Sequence, residues 1–417
     1  MGAAPADGGA GSRQTALRVV MLAVLVDYLG VGMMRTMMPF YAQRLGAASG
    51  SGATLLGGLE AAYGMGQMGG AAVLGRLSDV WGRRVVLTLS FAGSFVGYTM
   101  AGLATTPTLL LASRIPVGLA KQTVTVSRAV VADCTALGQE RSVGMSRLVA
   151  AFGVGYALGP LIGSHLATAS GSDAVPAFAT AGLFVVLLIA VAVVLPETRP
   201  ETGGASSQPE AGIDTIMAGW RVLLADPGLL RVVAVTTLPE VGFVMHTTTT
   251  LASLTVQELG ESKEWLASVN AATATIASTL CAFALPALSG RAGVSDTSLL
   301  LAGDVVFAAG TAALALWPTT TTVWCTLPLV AFGIAVLRTT PAALASQRAG
   351  LAVQGGAMGL LDAVSSCCRV AAPLVAGVLI DARGASAAFA AEAVLATLGA
   401  AALLLDARLP QAKPHAE

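Results

Sequence analysis

A succession of long apolar segments is the feature that most restricts how this chain can fold. A helix needs about 20 mostly apolar residues to cross the hydrocarbon core of a bilayer, and the 417-residue sequence contains many such stretches. Only 11% of its residues are charged, whereas soluble domains carry about 25%. The sequence therefore predicts an integral, all-α, multi-pass membrane protein.

The apolar segments fall into two groups of six around a polar stretch from Pro196 to Gly228. The first part of that stretch has the composition of a disordered linker, and Ile213 to Leu224 predicts a short amphipathic helix at the membrane surface. The predicted organisation is a tail over 1–16, a six-helix bundle over 17–196, a linker over 197–230, a second bundle over 231–405 and a tail over 406–417. The predicted spans are 17–42, 53–77, 85–104, 108–132, 144–167, 176–196, 231–255, 265–288, 298–317, 321–345, 356–380 and 386–405.

The basic residues predict which ends of the spans face the cytosol. If both termini are cytosolic, 14 of the 23 Lys and Arg residues lie in inside segments and three, Arg44, Lys263 and Arg383, lie outside. Because cytosolic loops carry the excess of Lys and Arg, this asymmetry favours cytosolic termini. The protein is expected in the plasma membrane or in the membrane of an intracellular organelle.

The two groups of spans also repeat each other weakly. "LSDVWG" at Leu77 has an echo in "LSGRAG" at Leu288, and "GPLIG" at Gly159 has one in "APLVA" at Ala372. Parallel six-helix halves of this kind are a transporter architecture. The repeat therefore favours a transporter, whose substrate site would lie near the midplane between the halves.

The turn between the second and third spans carries the most specific motif. Gly75-x-Leu77-Ser78-Asp79-x-x-Gly82-Arg83-Arg84 resembles the signature of the major facilitator superfamily at the same place, although Val80 stands where that family usually has a basic residue. The resemblance implies an all-α fold of twelve transmembrane helices in two pseudo-symmetric six-helix bundles. It also implies that Asp79 docks on the start of the eleventh span, near Gly355 and Gly356, and that Arg83 bridges Asp79 and Asp133. The resulting gating motif consists of Gly75, Asp79, Gly82, Arg83, Arg84 and Asp133.

Two further segments resemble drug:proton antiporters of the tetracycline-efflux type within that superfamily. "VDYLGVGMMRTMMP" in the first span places Asp27, Gly30, Gly32 and Pro39 at matching positions, whereas Arg35 and Thr36 depart from the pattern. "GYALGPLIGS" in the fifth span resembles the antiporter signature through Gly155, Gly159, Pro160 and Gly163, and the same small residues would also allow close helix packing. The segment from Arg114 to Asp133 is in addition similar to orphan carriers of the superfamily, whose solutes are unknown.

Charges inside the spans are the candidate site residues, since a charge at the bilayer centre costs about 3 kcal/mol on insertion scales. Arg114, Lys121 and Arg128 are spaced by seven, so one continuous helix would place them on one stripe. The family resemblance implies that the first, fourth, seventh and tenth spans line the solute cavity. Lys121 is then a mid-depth solute ligand, while Arg114 and Arg128 either line the cavity or form structural pairs near the span ends.

Two acidic residues occupy equivalent depths in the two bundles. Asp27 lies about 15 Å into the first span, and Glu240 follows Pro239 in the seventh. Either carboxylate could carry a coupling proton, or could form a static ion pair with Lys121 or Arg128. His246 is expected to be a hydrogen-bonded structural residue rather than a proton relay, and Asp304 and Glu60 are expected to face water near span ends.

These observations predict a secondary transporter, coupled to protons by antiport, for a small anionic or zwitterionic solute. An uncoupled facilitator and a non-transporting sensor or scaffold on the same fold remain alternatives. The expected partners are a solute, protons and the lipid bilayer, without nucleic acid, for a monomer with no enzymatic activity, no cofactor and no metal. The predicted substrate-binding residues are Asp27, Arg35, Gln67, Lys121, Arg128, Glu240, Arg338 and Arg369, and the predicted proton-coupling residues are Asp27 and Glu240.

Overall fold

The computed structural model describes residues 10–46, 50–136, 139–198, 227–290 and 293–407. Within these ranges every regular element is helical and there is no strand. The predicted all-α class is therefore confirmed. The predicted surface helix from Ile213 to Leu224 lies outside the described residues, as do most of the linker and the two tails.

The described residues form twelve main helices. Two of them, α8 (Pro227–Met245) and α9 (Lys263–Thr279), continue past their α-helical residues. π-Helical turns follow α8 at His246–Thr250 and Leu254–Glu258, and one follows α9 at Leu280–Ala284. The helices are α1 Ala10–Gly46, α2 Gly52–Trp81, α3 Arg83–Gly102, α4 Pro107–Ala120, α5 Thr123–Cys134, α6 Gln139–Ser170, α7 Ala174–Val194, α8 Pro227–Met245, α9 Lys263–Thr279, α10 Asp296–Leu316, α11 Thr320–Arg383 and α12 Ala385–Ala407.

Ten segments of the described chain are long and apolar enough to cross a membrane. The other two predicted spans, 53–77 and 108–132, fall on α2 and on the pair α4–α5. The prediction of one continuous helix over 108–132 is wrong, because α4 ends at Ala120 and α5 begins at Thr123. In contrast, α11 continues for 64 residues over both 321–345 and 356–380, and no proline lies between Pro341 and Pro373 to interrupt it.

Several helices begin at side chains that cap their free backbone amides. The Thr106 hydroxyl accepts a hydrogen bond from the amide of Leu109 at the start of α4, at 3.3 Å. The Ser295 hydroxyl accepts one from the amide of Ser298 at the start of α10, at 3.1 Å. Such N-caps satisfy donors that have no intrahelical partner, so the sequence fixes where these helices begin.

The helices group into two compact units. Unit 1 comprises Met1–Gly204 with Glu261–Ala272, and unit 2 comprises Ala205–Gly260 with Thr273–Glu417. In unit 1 the backbones of α1 and α6 are in contact, since a β-carbon at Gly159 would lie 2.4 Å from the carbonyl oxygen of Leu29. In unit 2 a β-carbon at Gly399 of α12 would lie 2.2 Å from the ring of Pro239 in α8. Glycines thus set the closest helix contacts within each unit.

Candidate functional site

A break between α4 and α5 places Lys121 inside unit 1. Its backbone leaves the helical region, with φ −75° and ψ 68°, and the β-branched run Thr123 to Val126 follows. The break means that Arg114, Lys121 and Arg128 do not share one helix. Lys121 and Arg114 are buried, whereas Arg128 is exposed.

Lys121 forms a buried ion pair with Asp27 of α1. The ammonium group contacts one carboxylate oxygen of Asp27, and the two side chains are 4% and 0% exposed. The same ammonium lies 4.6 Å from the centre of the Tyr28 ring, which adds a cation–π contact. The second carboxylate oxygen, Oδ1, has no hydrogen-bond partner among the described residues. The pair thus retains one unused acceptor at the centre of unit 1.

Arg114 is the second buried cation of this unit. Its guanidinium group lies 5.4 Å from the centre of the Tyr98 ring, and its Nε is 3.4 Å from the Ser113 hydroxyl. Its Nη2 atom has no hydrogen-bond partner among the described residues. A buried guanidinium with an unused donor can bind an anion, because its desolvation is otherwise uncompensated.

The remaining predicted residues of unit 1 are half-buried. Arg35 lies over the Tyr156 ring at 5.8 Å, and Glu60 and Tyr63 are among its electrostatic neighbours. Gln67 lies where α2 touches α4, since a β-carbon at Gly118 would be 3.1 Å from its backbone nitrogen. Neither contact identifies a ligand, so both residues remain predictions.

The antiporter-type motif contacts the helix that carries Asp27. A β-carbon at Gly155 would lie 2.3 Å from the carbonyl oxygen of Leu25, and one at Gly163 would lie 2.7 Å from the Cα of Met33. A β-carbon at Gly32 would likewise lie 2.8 Å from the Pro160 ring. The motif therefore holds α6 against α1 along the stretch that contains the buried pair.

Unit 2 contains a second charged cluster around Glu240 of α8. The Glu240 carboxylate has the Ser365 hydroxyl as a polar neighbour and Arg369 and Arg338 as charged neighbours. The Arg338 guanidinium also lies 5.9 Å from the centre of the Phe243 ring. The structure thus brings together three residues that the sequence analysis selected separately.

Two further acids of unit 2 are fully buried. Asp304 of α10 is 0% exposed, so the expectation that it faces water is wrong. Both of its carboxylate oxygens lack a hydrogen-bond partner among the described residues. Glu392 of α12 is also 0% exposed and contacts His246 at 3.0 Å, which makes His246 hydrogen-bonded as expected. Sequence reasoning missed Glu392, although it is an acid within the predicted span 386–405.

The two arginines of the turn between α2 and α3 contact three groups of unit 1. The Nε of Arg83 lies 3.1 Å from a carboxylate oxygen of Asp133, and its Nη1 lies 3.1 Å from the Ser78 hydroxyl. Arg84 donates a hydrogen bond to the carbonyl oxygen of Ala192. The pairing of Arg83 with Asp133 therefore agrees with the family resemblance. The side chain of Asp79 and the surroundings of Gly75, Gly355 and Gly356 lie outside what the structure describes.

Glu197 is a member of this turn that sequence reasoning placed in the linker. Its carboxylate accepts hydrogen bonds from the backbone amides of Arg83 at 2.9 Å and Arg84 at 3.2 Å, and so caps the start of α3. A β-carbon at Gly82 would lie 2.3 Å from that carboxylate, and Gly82 has a φ of +97°. Only glycine satisfies both conditions without strain.

Fold and site together define a multi-pass membrane protein that carries charged clusters inside its helical units. The sequence profile described as Major Facilitator Superfamily matches residues 20–360. The chain belongs to the Major Facilitator Superfamily.

Several relatives and solved structures are similar to this chain. The tetracycline resistance protein, class D, of Salmonella ordonez is 37% identical over 145 residues, which cover 35% of this chain and 36% of the relative. Major facilitator superfamily domain-containing protein 10 of Bos taurus is 35% identical over 193 residues, which cover 45% of this chain and 39% of the relative. In both cases the match spans less than half of the relative's length.

The fold is shared with solved structures at lower sequence identity. The crystal structure of the human organic anion transporter MFSD10 (TETRAN) has a TM-score of 0.65 and 23% identity, and covers 94% of this chain and 99% of that one. A bacterial homologue of the human lysosomal transporter Spinster has a TM-score of 0.77 and 14% identity, and covers 96% of this chain and 98% of that one.

Proposed function

We propose that this protein is a secondary transporter that moves a small zwitterionic or anionic organic solute by alternating access and exchanges it for protons. The observation that carries the proposal is the buried pair of Lys121 and Asp27, in which one carboxylate oxygen has no partner among the described residues. Sequence similarity to tetracycline resistance proteins supports the antiport part.

The pair can exchange its partners without leaving an isolated charge. A solute carboxylate that binds Lys121 replaces Asp27 as the counter-charge, and Asp27 then needs either a proton or a cationic group. Leaving Asp27 ionised and alone would cost several kcal/mol. The Lys121 ammonium and the Asp27 carboxylate must therefore both be neutralised, by each other, by the solute or by a proton, in every state of the cycle.

This requirement relates the solute to the direction of coupling. A zwitterion would place its carboxylate on Lys121 and its ammonium group on Asp27, so the pair itself would hold no proton with or without that solute, and a proton exchanged for the solute would have to be carried by Glu240. A purely anionic solute would occupy Lys121 alone, and a proton on Asp27 would then travel with it. Proton antiport thus favours a zwitterionic solute, because a purely anionic one would bring a proton along on Asp27.

Unit 2 supplies a second acid for coupling. Glu240 has two guanidinium neighbours and one hydroxyl partner, so its cluster carries a net positive charge when Glu240 is ionised. Such a cluster suits an anionic group of the solute, as does Arg114 in unit 1. We assign Glu240 as the second proton-coupling candidate on this basis.

Two other functions of this fold are alternatives. An uncoupled facilitator would use the same cationic groups without proton binding at Asp27 or Glu240. A sensor or scaffold would need neither the ion pair of Arg83 with Asp133 nor the Glu197 cap. The intact turn favours a protein that changes conformation in a cycle.

The test is uptake by proteoliposomes that contain the full-length protein. A panel of zwitterionic and anionic organic acids is offered with and without a pH gradient, and we expect gradient-driven accumulation of at least one zwitterion. Lys121→Met should abolish it, whereas Arg18→Met, which removes an exposed cation of α1, should retain it. Uptake that ignores the pH gradient would favour the facilitator, and no uptake of any member would count against transport of this class.

A further inference from the structure

We infer that His246 and Glu392 form a proton-binding site in unit 2, in which one shared proton ties α8 to α12. The site is separate from the Glu240 cluster and does not depend on the proposed function. Its members lie on two helices whose backbones are in contact, since a β-carbon at Gly242 would be 3.3 Å from the carbonyl oxygen of Glu392.

The pair is closed off from solvent in this structure. The Nδ1 atom of His246 lies 3.0 Å from Oε2 of Glu392, and the two side chains are 4% and 0% exposed. The rings of Phe307 and Phe389 each lie 5.7 Å from the imidazole centre. The Thr250 hydroxyl, at the end of the π-helical turn that His246 begins, is the other polar neighbour of the carboxyl group. An apolar enclosure with this few polar groups cannot stabilise an isolated charge.

Among the described residues, His246 is the basic side chain that contacts Glu392. Neither α10 nor α12 contains a lysine, arginine or histidine. The basic residues of α11 that the structure places near α8, Arg338 and Arg369, are neighbours of Glu240. Of the other titratable groups on α8 and α10, Arg231 is exposed near the start of α8, fifteen residues before His246, and the two nearer the pair are acidic: Glu240 on α8 and Asp304 on α10, beside Gly399 of α12. The surroundings therefore add negative rather than positive charge.

The proton count of the pair follows from its charge. With one proton the pair is neutral, either as imidazolium and carboxylate or as imidazole and carboxylic acid, and both forms make the observed hydrogen bond. Without that proton the pair carries one negative charge inside the apolar enclosure. With a second proton it carries one positive charge, although the imidazolium can still donate to the carbonyl oxygen of the acid. The enclosure therefore selects the state with one proton.

This proton distinguishes the folded from the unfolded chain. Near pH 8 an unfolded chain holds an ionised glutamate and a neutral histidine, because their usual pKa values are about 4.3 and 6.5. Unfolding at that pH therefore releases the shared proton. A pair that was already deprotonated in the folded state would release none.

The experiment counts the protons released when the purified full-length protein is denatured in weakly buffered detergent solution at pH 8. We expect the wild type to release about one proton more per molecule than Glu392→Gln, because the variant keeps the hydrogen bond without the acid. Release from Asp304 is common to both proteins and cancels in the difference. Equal release by the two proteins would overturn the inference.

Two further variants serve as a substitute for Glu392→Gln and as a control. If Glu392→Gln does not fold, the double variant His246→Gln with Glu392→Gln replaces it, since two amides can still bond to each other, and the same difference of about one proton is expected. Glu258→Gln, at an exposed glutamate of unit 2, reports what the Glu-to-Gln change itself does to the measurement. No solute enters the experiment, so its outcome is independent of whether transport is found.

Discussion

Breaking the pair of Lys121 and Asp27 from either side should destabilise the protein with opposite pH dependence. Lys121→Met leaves the Asp27 carboxylate fully buried without a cation, so the folded variant must bind a proton that the unfolded chain does not hold at neutral pH. Relative to a usual carboxyl pKa of about 3.9, this costs about 4 kcal/mol at pH 7 and about 1.5 kcal/mol at pH 5. The loss of stability should therefore shrink as the pH falls.

Asp27→Asn has the reverse effect, because it leaves the Lys121 ammonium buried and forces the folded variant to give up a proton. Relative to a usual ammonium pKa of about 10.4, this costs about 5 kcal/mol at pH 7 and about 2 kcal/mol at pH 9. The loss of stability should therefore shrink as the pH rises. Both values at pH 7 agree with the range of about 3–5 kcal/mol that is typical for breaking a buried ion pair.

The double variant Asp27→Asn with Lys121→Met has no buried charge at either position, so we expect it to recover most of the lost stability. The assay is denaturation of the purified protein in detergent at pH 5, 7 and 9, with Arg18→Met as the control for removing a cation. Parallel pH trends in the two single variants, or a double variant that loses the sum of both, would refute the reasoning.

Three further predictions test the remaining parts of the site. Gly82→Ala should lower the free energy of unfolding by about 1–3 kcal/mol, because the new methyl group meets the Glu197 carboxylate and the φ of this residue is positive. Glu197→Ala removes only the cap and should lower it by about 1 kcal/mol. Thermal melting of the two variants measures both effects. Gly159→Ala should lower the free energy of unfolding by about 1–3 kcal/mol, because the added methyl group separates α1 from α6. An unchanged melting temperature in the same assay would contradict this prediction. In proteoliposomes, Glu240→Gln or Asp27→Asn should stop accumulation against a gradient while exchange of solute for solute continues; undiminished accumulation in both variants would remove the coupling assignment.

The sequence predicts the parts of the site that follow from the cost of burying a charge. Asp27 and Lys121 are each a charge at mid-depth in an apolar segment, so the rule predicts both as site residues, with a mutual ion pair as one of two possible arrangements. Glu240, Arg338 and Arg369 were selected by the same rule and are neighbours in unit 2. Glu392 satisfies the rule equally well, so its omission reflects an incomplete application of the rule rather than a missing signal.

The break at Lys121 could not be predicted in the same way. Pro116 and Gly118 lie just before the break, but α4 continues past both of them to Ala120, and the β-branched residues that follow lower helix propensity by only a few tenths of a kcal/mol each. The contact between Lys121 and Asp27 of another helix is tertiary, and no local pattern records it. Glu197 was assigned to a disordered linker for a related reason, since its role as a cap depends on the position of a turn more than 100 residues earlier in the chain.

The break also makes α5 a short lever with an ion pair at each end. Lys121, bound to Asp27, lies immediately before α5, and Asp133, bound to Arg83, lies next to its last residue. The twelve residues of α5 form a rod about 18 Å long, and a helix of this length transmits a tilt with little bending. A conformational change that separates Lys121 from Asp27 and tilts α5 therefore also displaces Asp133 at the other end of the helix. The two ion pairs are coupled through α5 although they share no side chain.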